Sequence, residues 1–382
     1  MFSECYSATF VRNTYFCIFI DENFAFNESI QFEKMKKQIA VALASFGMSG
    51  QVFHGPLLKV NKNFRVKLVL ERSKTLSQEL FPDAKIVRTF DAVLADTEVE
   101  LVVINTPDKF HYPMVKQALE AGKHVVVEKP ATLRSAELEE LIELAKSKNL
   151  VFTIFQNRRW DGDFRTVQKV IKEARFGRLV EFEAHYDRYR TEITPDTWKE
   201  EGDEYGGVLY NLGSHMIDQA YVLFGRPQTV TAHLKTVRTG GKVSDYYDIR
   251  LDYEGFSALL KCSYLIMDPS PRYMINGEYG TFKKWGIDGQ EELLKAGNLP
   301  AGDDWGKEES DWWGTQVYTE NEEHVEELVE TIPGDYRIFY DNVFEAIRNN
   351  KELLVKPQEA LEVLKILEAC LLSNRGRQTV IL

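Results

Sequence analysis

The hydrophobic positions of this chain fall into two regimes that meet near residue 157. Before that point, apolar residues come in short unbroken runs. These are Gln38-Ile-Ala-Val-Ala-Leu-Ala44, Val66-Lys-Leu-Val-Leu70, Leu101-Val-Val-Ile104, His124-Val-Val-Val127 and Leu150-Val-Phe-Thr-Ile-Phe155. Such runs read as strands buried on both faces of a parallel sheet. Helical spacing lies between them. Leu138, Leu141, Ile142 and Ala145 share one face of a helix predicted from Ser135, its N-cap, to Lys148, and a helix from Met114 to Glu120 stops at Gly122. Strands alternating with helices predict a right-handed, doubly wound α/β domain. Beyond residue 157, polar residues take every second position in Val180–Tyr186, Val230–Val237 and Tyr247–Tyr253, the pattern of an antiparallel sheet with one packed face. A helix started by Pro357 closes the chain, and the acidic region 287–323, with Trp305, Trp312 and Trp313, is expected to be a long excursion, either a lid or an oligomer contact.

Composition narrows the function without fixing it. The 382 residues are enough for two cores, and a hydrophobic content of 44% with 28% charged residues is ordinary for a globular enzyme. A net charge of -12 argues against a non-specific nucleic-acid binder. The four cysteines, Cys5, Cys17, Cys262 and Cys370, are scattered and read as reduced thiols of a cytoplasmic protein. No apolar run reaches the roughly 20 residues that span a bilayer, so no membrane partner is expected. Residues 1–34 lack a small-residue cleavage site after Tyr15–Ile20 and are expected to be a poorly ordered extension, with folding starting at Met35.

Candidate chemistry clusters at the ends of the apolar runs. The turn Ser45-Phe-Gly-Met-Ser-Gly50 follows the first strand, with Gly47 and Gly50 at the second and third positions of a dinucleotide-binding Gly-x-Gly-x-x-Gly and Ser45 in place of the first. Glycine lets the backbone, including Met48 and Ser49, approach a pyrophosphate at a helix N-terminus. Glu71, at the end of the second strand, is placed to accept hydrogen bonds from a ribose, which favours NAD. Arg72, Ser73 and Lys74 beside it would hold a 2′-phosphate instead, and NADP is the preferred expectation, with NAD open. Asn105-Thr106-Pro107 ends a later strand at the ligand-binding edge, with His111 after it either packing or reaching the ribose.

Val125-Val-Val-Glu-Lys-Pro130 ends another strand in Glu128 and in Lys129, a lysine fixed by a following proline. In the second half, Asn211, His215 and Asp218 stand four and three apart after Gly206-Gly207, on one face if helical. His215 is then an acid–base residue with orienting partners, or a satisfied core histidine. Gln156-Asn-Arg-Arg-Trp-Asp161, with Arg159, Trp160 and Asp161, would bind hydroxyls of a sugar or cyclitol together with Asp218, and Arg188 and Arg190 could contribute; for the arginine-rich stretches interdomain ion pairs are the equal alternative. Metal binding has no support, since there is neither a His-x-x-x-His nor a cysteine cluster.

With the glycine turn, Glu128-Lys129-Pro130, the Asn211…His215 segment and the terminal helix in this order, the chain from Met35 to Leu382 resembles the glucose–fructose oxidoreductase/inositol dehydrogenase (Gfo/Idh/MocA) family. Gln156–Phe164, Leu212–Gln219 and Pro333–Tyr336 look most like its NADP-dependent scyllo-inositol dehydrogenase branch. The resemblance implies an N-terminal Rossmann domain over 35–157. It also implies a second α/β domain over 158–382, whose mostly antiparallel open sheet mediates dimers or tetramers and whose last helix packs back on the first domain. It implies a small-molecule polyol or sugar as substrate, with the residues matching Lys129 and His215 facing its reacting carbon beside a nicotinamide. Family members commonly carry an aspartate where this chain has Asn211, so His215 is expected to be less basic than in those relatives. Three other activities fit the scaffold: reduction of another carbonyl, glycoside hydrolysis with a tightly held NAD, or cofactor sensing without catalysis.

Overall fold

A computed structural model describes residues 38–194, 200 and 205–382. The extension 1–34 and its two cysteines lie outside the described residues. Each unbroken apolar run becomes a strand: β1 (Ile39–Leu43), β2 (Phe64–Leu70), β4 (Leu101–Ile104), β5 (His124–Val127) and β6 (Phe152–Ile154), joined by a short β3 (Lys85–Val87). They form one parallel sheet in the order β3-β2-β1-β4-β5-β6. The order reverses between β2-β1 and β4, and the ends of β1 and β4 open the crevice where such sheets take ligands. Every residue of β1 and β4 is buried, as helices on both faces require.

The second sheet is mixed and mostly antiparallel. It is built from β7 (Leu179–His185), β8 (Thr229–Lys235), β9 (Tyr246–Tyr253), β10 (Phe256–Ser263), β11 (Tyr273–Gly277), β12 (Gly280–Lys284), β13 (Gly314–Glu320), β14 (Glu323–Val329) and β15 (Val380–Ile381). Its nine strands run β14-β13-β12-β11-β7-β10-β9-β8-β15, and only the β7–β10 pair is parallel. Alternation holds in β9, where Tyr247, Ile249 and Leu251 are fully buried and Arg250 is exposed, but it breaks at the ends of the other two stretches, where Val180 and Val237 are exposed. The helix Pro357–Gly376 buries its apolar side and reaches the first domain, where Glu368 accepts from the Ser135 N–H and hydroxyl, both at 2.7 Å.

Two expectations need correction. Ser135 is the first residue of the helix Ser135–Ser147, not its cap; the Glu368 carboxylate meets that helix end instead, a favourable place for negative charge. The region 287–323 is not wholly an excursion. Gly314–Glu320 pairs with β12 inside the sheet, and Trp305 is buried with its indole N–H on Gln290. Asn321 and Glu322, both at positive φ, form the two-residue turn between β13 and β14.

Candidate active site

Three chain segments meet at the end of β5. Lys129 follows the strand directly, and its ammonium donates to the Asn211 carbonyl at 2.7 Å and lies 3.4 Å from the Asn211 side-chain oxygen. Asn211 belongs to a π-helical turn, Leu209–Gly213, which runs into the α-helix Ser214–Phe224. The wider turn sets Asn211 and His215 off the simple four-residue spacing. The preceding Gly207 is required: its φ is +70°, and a Cβ there would lie 2.3 Å from the Ser244 carbonyl oxygen.

His215 is buried, and its Nδ1 has no hydrogen-bond partner among the described residues. Burial, then the charges of Lys129, Arg158, Arg272 and Arg188, hold the imidazole well below its ordinary pKa. The ring is therefore neutral at physiological pH and able to accept a proton. Glu128 behaves oppositely. Burial works to raise its carboxyl, but the bond from His54 at 3.1 Å and the charges of His54, Lys129 and His111 outweigh it and keep the carboxylate below its usual range. His54 is buried and touches the Tyr340 hydroxyl at 2.8 Å through its other nitrogen, which ties the strand end to the helix Arg337–Asn349.

A pocket of about 210 Å³ opens over Lys129 and Asn211. Its walls come from Asp108 and Pro130 on one side, and from Arg188, Arg190, Tyr205, Gly206, Tyr210, Arg238 and Tyr264 on the other. Arg238 and Tyr264 carried no signal in the sequence, and Tyr210 none beyond its place beside Asn211. Arg238 follows β8, Tyr264 follows β10 and Tyr210 lies in the π-helical turn, so only the fold brings these three segments to one wall.

The glycine turn lies at the ends of β1 and β4. Gly50 allows no side chain, because a Cβ there would meet the Ser45 carbonyl oxygen at 2.9 Å and the Asn105 amide nitrogen at 3.0 Å. Ser45 compensates for the missing first glycine by accepting the Gly47 N–H at 3.1 Å, while Met48 is exposed. Asn105 donates to the Ser45 carbonyl at 3.0 Å and accepts at its own carbonyl from the Ser49 hydroxyl at 3.4 Å. The side-chain oxygen of Asn105 is buried without a partner, an unused acceptor at the crevice. An adenine dinucleotide fits this donor set: open backbone at Gly47, a helix start, and an orphan acceptor for a ribose hydroxyl.

Several expected ligands point elsewhere. Both Glu71 oxygens are consumed by the chain itself, accepting from Leu76 N at 2.9 Å, Ser77 N at 2.9 Å and the Ser77 hydroxyl at 2.6 Å. Glu71 therefore shapes the loop in which Arg72, Ser73 and Lys74 stand exposed, rather than offering a free carboxylate to a ribose. His111 sits between the Pro130 carbonyl at 2.7 Å and the Thr106 carbonyl at 2.8 Å, and the Thr106 hydroxyl faces the Met114 sulfur at 3.7 Å. Pro107 stands just before the short helical turn Asp108–Phe110.

The proposed hydroxyl binders Arg159, Trp160, Asp161 and Asp218 do not line the pocket. Arg159 is gripped by both oxygens of Asp218, at 2.8 and 2.7 Å, and by Glu359 at 2.7 Å. Trp160 packs edge-on against Phe339. Asp161 is fully buried, accepting from Arg158 at 3.1 Å and Tyr336 at 2.6 Å. Arg159 and Asp161 do form ion pairs, but within the second domain rather than between domains, and Arg188 and Arg190 line the pocket instead. With Nε, Nη1 and Nη2 all engaged, the Arg159 guanidinium is committed to these partners rather than to a ligand in the pocket.

Comparison with known proteins gives a consistent picture. Residues 39–156 match the family description "Oxidoreductase family, NAD-binding Rossmann fold", and residues 168–382 match "Oxidoreductase family, C-terminal alpha/beta domain". The scyllo-inositol 2-dehydrogenase (NADP(+)) IolW of Bacillus subtilis is 36% identical over 345 residues, covering 90% of this chain and 96% of IolW. The uncharacterized oxidoreductase C26H5.09c of Schizosaccharomyces pombe is 40% identical over 90% of this chain and 98% of its own length. The crystal structure of a candidate oxidoreductase from Bacteroides fragilis superimposes with a TM-score of 0.84 at 43% identity, covering 90% of this chain and all of that one.

Proposed function

This chain belongs to the glucose–fructose oxidoreductase/inositol dehydrogenase family of NAD(P)-dependent oxidoreductases, and from that premise we propose that it interconverts a ring secondary alcohol of a polyol or sugar, scyllo-inositol-like, and the matching ketone, using NADP. The observation that carries the reading is the ammonium of Lys129, held on the Asn211 carbonyl in the pocket wall, with the buried His215, which does not itself line the pocket, one helical turn further along the same segment. When bound, the nicotinamide supplies the hydride acceptor. His215 accepts the hydroxyl proton, a role that a ring lacking its charge at neutral pH can fill. Lys129 stabilises the oxygen as it gains negative charge, and Asn211 orients Lys129 through its carbonyl. Gly47, Met48, Ser49 and Gly50 receive the pyrophosphate, and Asn105, Thr106 and Pro107 face the ribose side of the crevice.

The choice of NADP rests on Glu71 being spent on its own loop while Arg72 and Ser73 remain exposed. The relative IolW, by its name, acts on scyllo-inositol with NADP. The test is absorbance of the reduced nicotinamide with scyllo-inositol, myo-inositol and a set of aldoses, each with NADP and with NAD. Turnover of an inositol with NADP is the expected result. Silence across this neutral panel despite tight cofactor binding would overturn the scyllo-inositol-like substrate. We also propose a homodimer or homotetramer assembled through the second sheet, which light scattering would show as two or four times the 44.1 kDa chain.

A further inference from the structure

The pocket is electropositive in an acidic protein. Lys129, Arg188, Arg190 and Arg238 line it against two carboxylates, Asp108 and Glu200, while the whole chain carries a formal charge of -12. The four cations are not equivalent. Arg238 is already neutralised, by Glu200 at 2.7 Å and Asp245 at 2.8 Å. Lys129 is held on the Asn211 carbonyl.

Arg188 and Arg190 have no carboxylate and no side-chain hydrogen bond among the described residues. What positions them is aromatic. The Arg188 guanidinium lies 5.4 Å from the Tyr186 ring centre and 6.0 Å from that of Tyr264, and Arg190 lies 5.9 Å from Tyr264. Stacking against a ring fixes a guanidinium without using its N–H donors, so the fork stays available to an oxyanion. The backbone beneath is also fixed. Arg188 N bonds the Ser263 carbonyl at 2.9 Å, Arg190 N bonds the Tyr264 carbonyl at 2.7 Å, and Tyr189 bridges Leu265.

The charge has no evident use in binding the cofactor. No residue of the glycine turn 45–50 or of the loop 71–74 lines this pocket, so phosphates received there would not answer it. The same field is felt at His215, whose pKa is lowered by Arg188 among other cations. A neutral cyclitol would leave two unpaired guanidinium forks facing it.

We propose that the substrate bears an anionic oxygen group, a carboxylate or phosphate on the polyol or sugar, and that Arg188 binds it with help from Arg190. The identification of that anion as part of the substrate rests on the dehydrogenase reading above; the anion site itself rests on its own geometry. Arg188 is a binding and specificity residue, not a participant in hydride transfer.

The test is titration calorimetry on the full-length protein with NADPH present, using glucuronate, glucose 6-phosphate, glucose and scyllo-inositol. At least one acid should bind about ten- to a hundredfold more tightly than glucose, the range of a charge-assisted pair. Which acid does so separates carboxylate from phosphate. The advantage should vanish in Arg188→Ala and in Arg188→Gln, which keeps much of the stem, and should persist in part in Arg188→Lys. Equal binding of acids and neutral sugars, no binding of either acid, or an advantage surviving both uncharged variants would overturn the proposal. Turnover measured alongside separates the two readings. An acid that binds through Arg188 but exchanges no hydride with either nucleotide overturns the dehydrogenase assignment and leaves the anion site standing. Neutral polyols turned over as efficiently as their acids overturn the anion inference and leave the dehydrogenase assignment standing.

Discussion

At the scale of single residues, the departure at Asn211 matters most. Its carbonyl, not its side chain, makes the short contact with Lys129, so an amide suffices to seat the ammonium. It adds no negative charge to offset the four cations that depress His215. Asn211→Asp should raise the histidine's pKa, because an opposite charge close by favours the imidazolium. His215 acts as base only when neutral, so the acid limb of kcat/KM for alcohol oxidation should move upward by about one pH unit. A pH–rate profile with an unmoved acid limb would mean that His215 is not the base, or that the carboxylate's charge does not reach it. Lys129→Ala is the sharper probe of the proposed chemistry. Turnover should fall at least about a hundredfold, the scale of losing one preorganised stabilising group, while cofactor affinity stays within a few-fold. Near-normal turnover would remove Lys129 from the mechanism.

At the scale of elements, five of the six strands of the first sheet were legible because a strand buried on both faces leaves an unbroken apolar run, whereas the three-residue edge strand β3, largely uncovered, leaves none. The sequence could not show where those strands' polar neighbours would point. Arg159 and Asp218 lie 59 residues apart and close on each other, a long-range pairing that no local spacing reports. The π-helical turns Gly50–His54 and Leu209–Gly213 were hidden for a related reason, since helical periodicity does not separate π from α. The β13–β14 hairpin did have a signal: Asn321 opens a two-residue turn between alternating segments, but the acidic composition around it masked the pattern. Glu71 illustrates the limit in the cofactor site. Its position at the strand end was visible, but its engagement by Ser77 was not. This separates two variants. Arg72→Ala should lower the NADP-to-NAD ratio of kcat/KM by about tenfold or more while leaving the fold intact, since it removes a charge-assisted contact to a 2′-phosphate. Glu71→Gln should instead cost about 1–3 kcal/mol of stability, because it weakens a carboxylate that satisfies the buried N–H and hydroxyl of Ser77 and the Leu76 N–H. Denaturant curves and kinetics with both nucleotides would show whether stability and preference divide this way; a Glu71→Gln enzyme whose nucleotide preference changes while its stability does not would contradict the assignment.

At the scale of the whole molecule, buried polar groups as well as apolar packing hold the fold together, and one of these groups makes stability depend on pH. Asp288 receives the Gly162 N–H at 2.7 Å, at the start of the helix Gly162–Glu173, and the Gln290 side chain at 2.8 Å. Burial, and then the charge of nearby Asp163, push its carboxyl up to about 6, against an ordinary 3.8. The folded state therefore holds this proton more tightly than the unfolded chain. Its contribution is fully present below about pH 4, declines as pH rises through about 6, and stays lost above that, a change of a few kcal/mol for a shift of roughly two units. Other groups, Glu291 at about 2 among them, drive stability the opposite way at lower pH, so the raw curve of melting temperature against pH mixes several contributions. Asp288→Asn isolates one. Facing an amide toward the Gln290 N–H has its own cost, but that cost is nearly independent of pH. The difference in melting temperature, variant minus wild type, should thus grow more positive between pH 4 and pH 7. A flat difference across that range would show that Asp288 titrates at the same pH folded and unfolded, and that the helix start at Gly162 is held by a carboxylate already charged at pH 4.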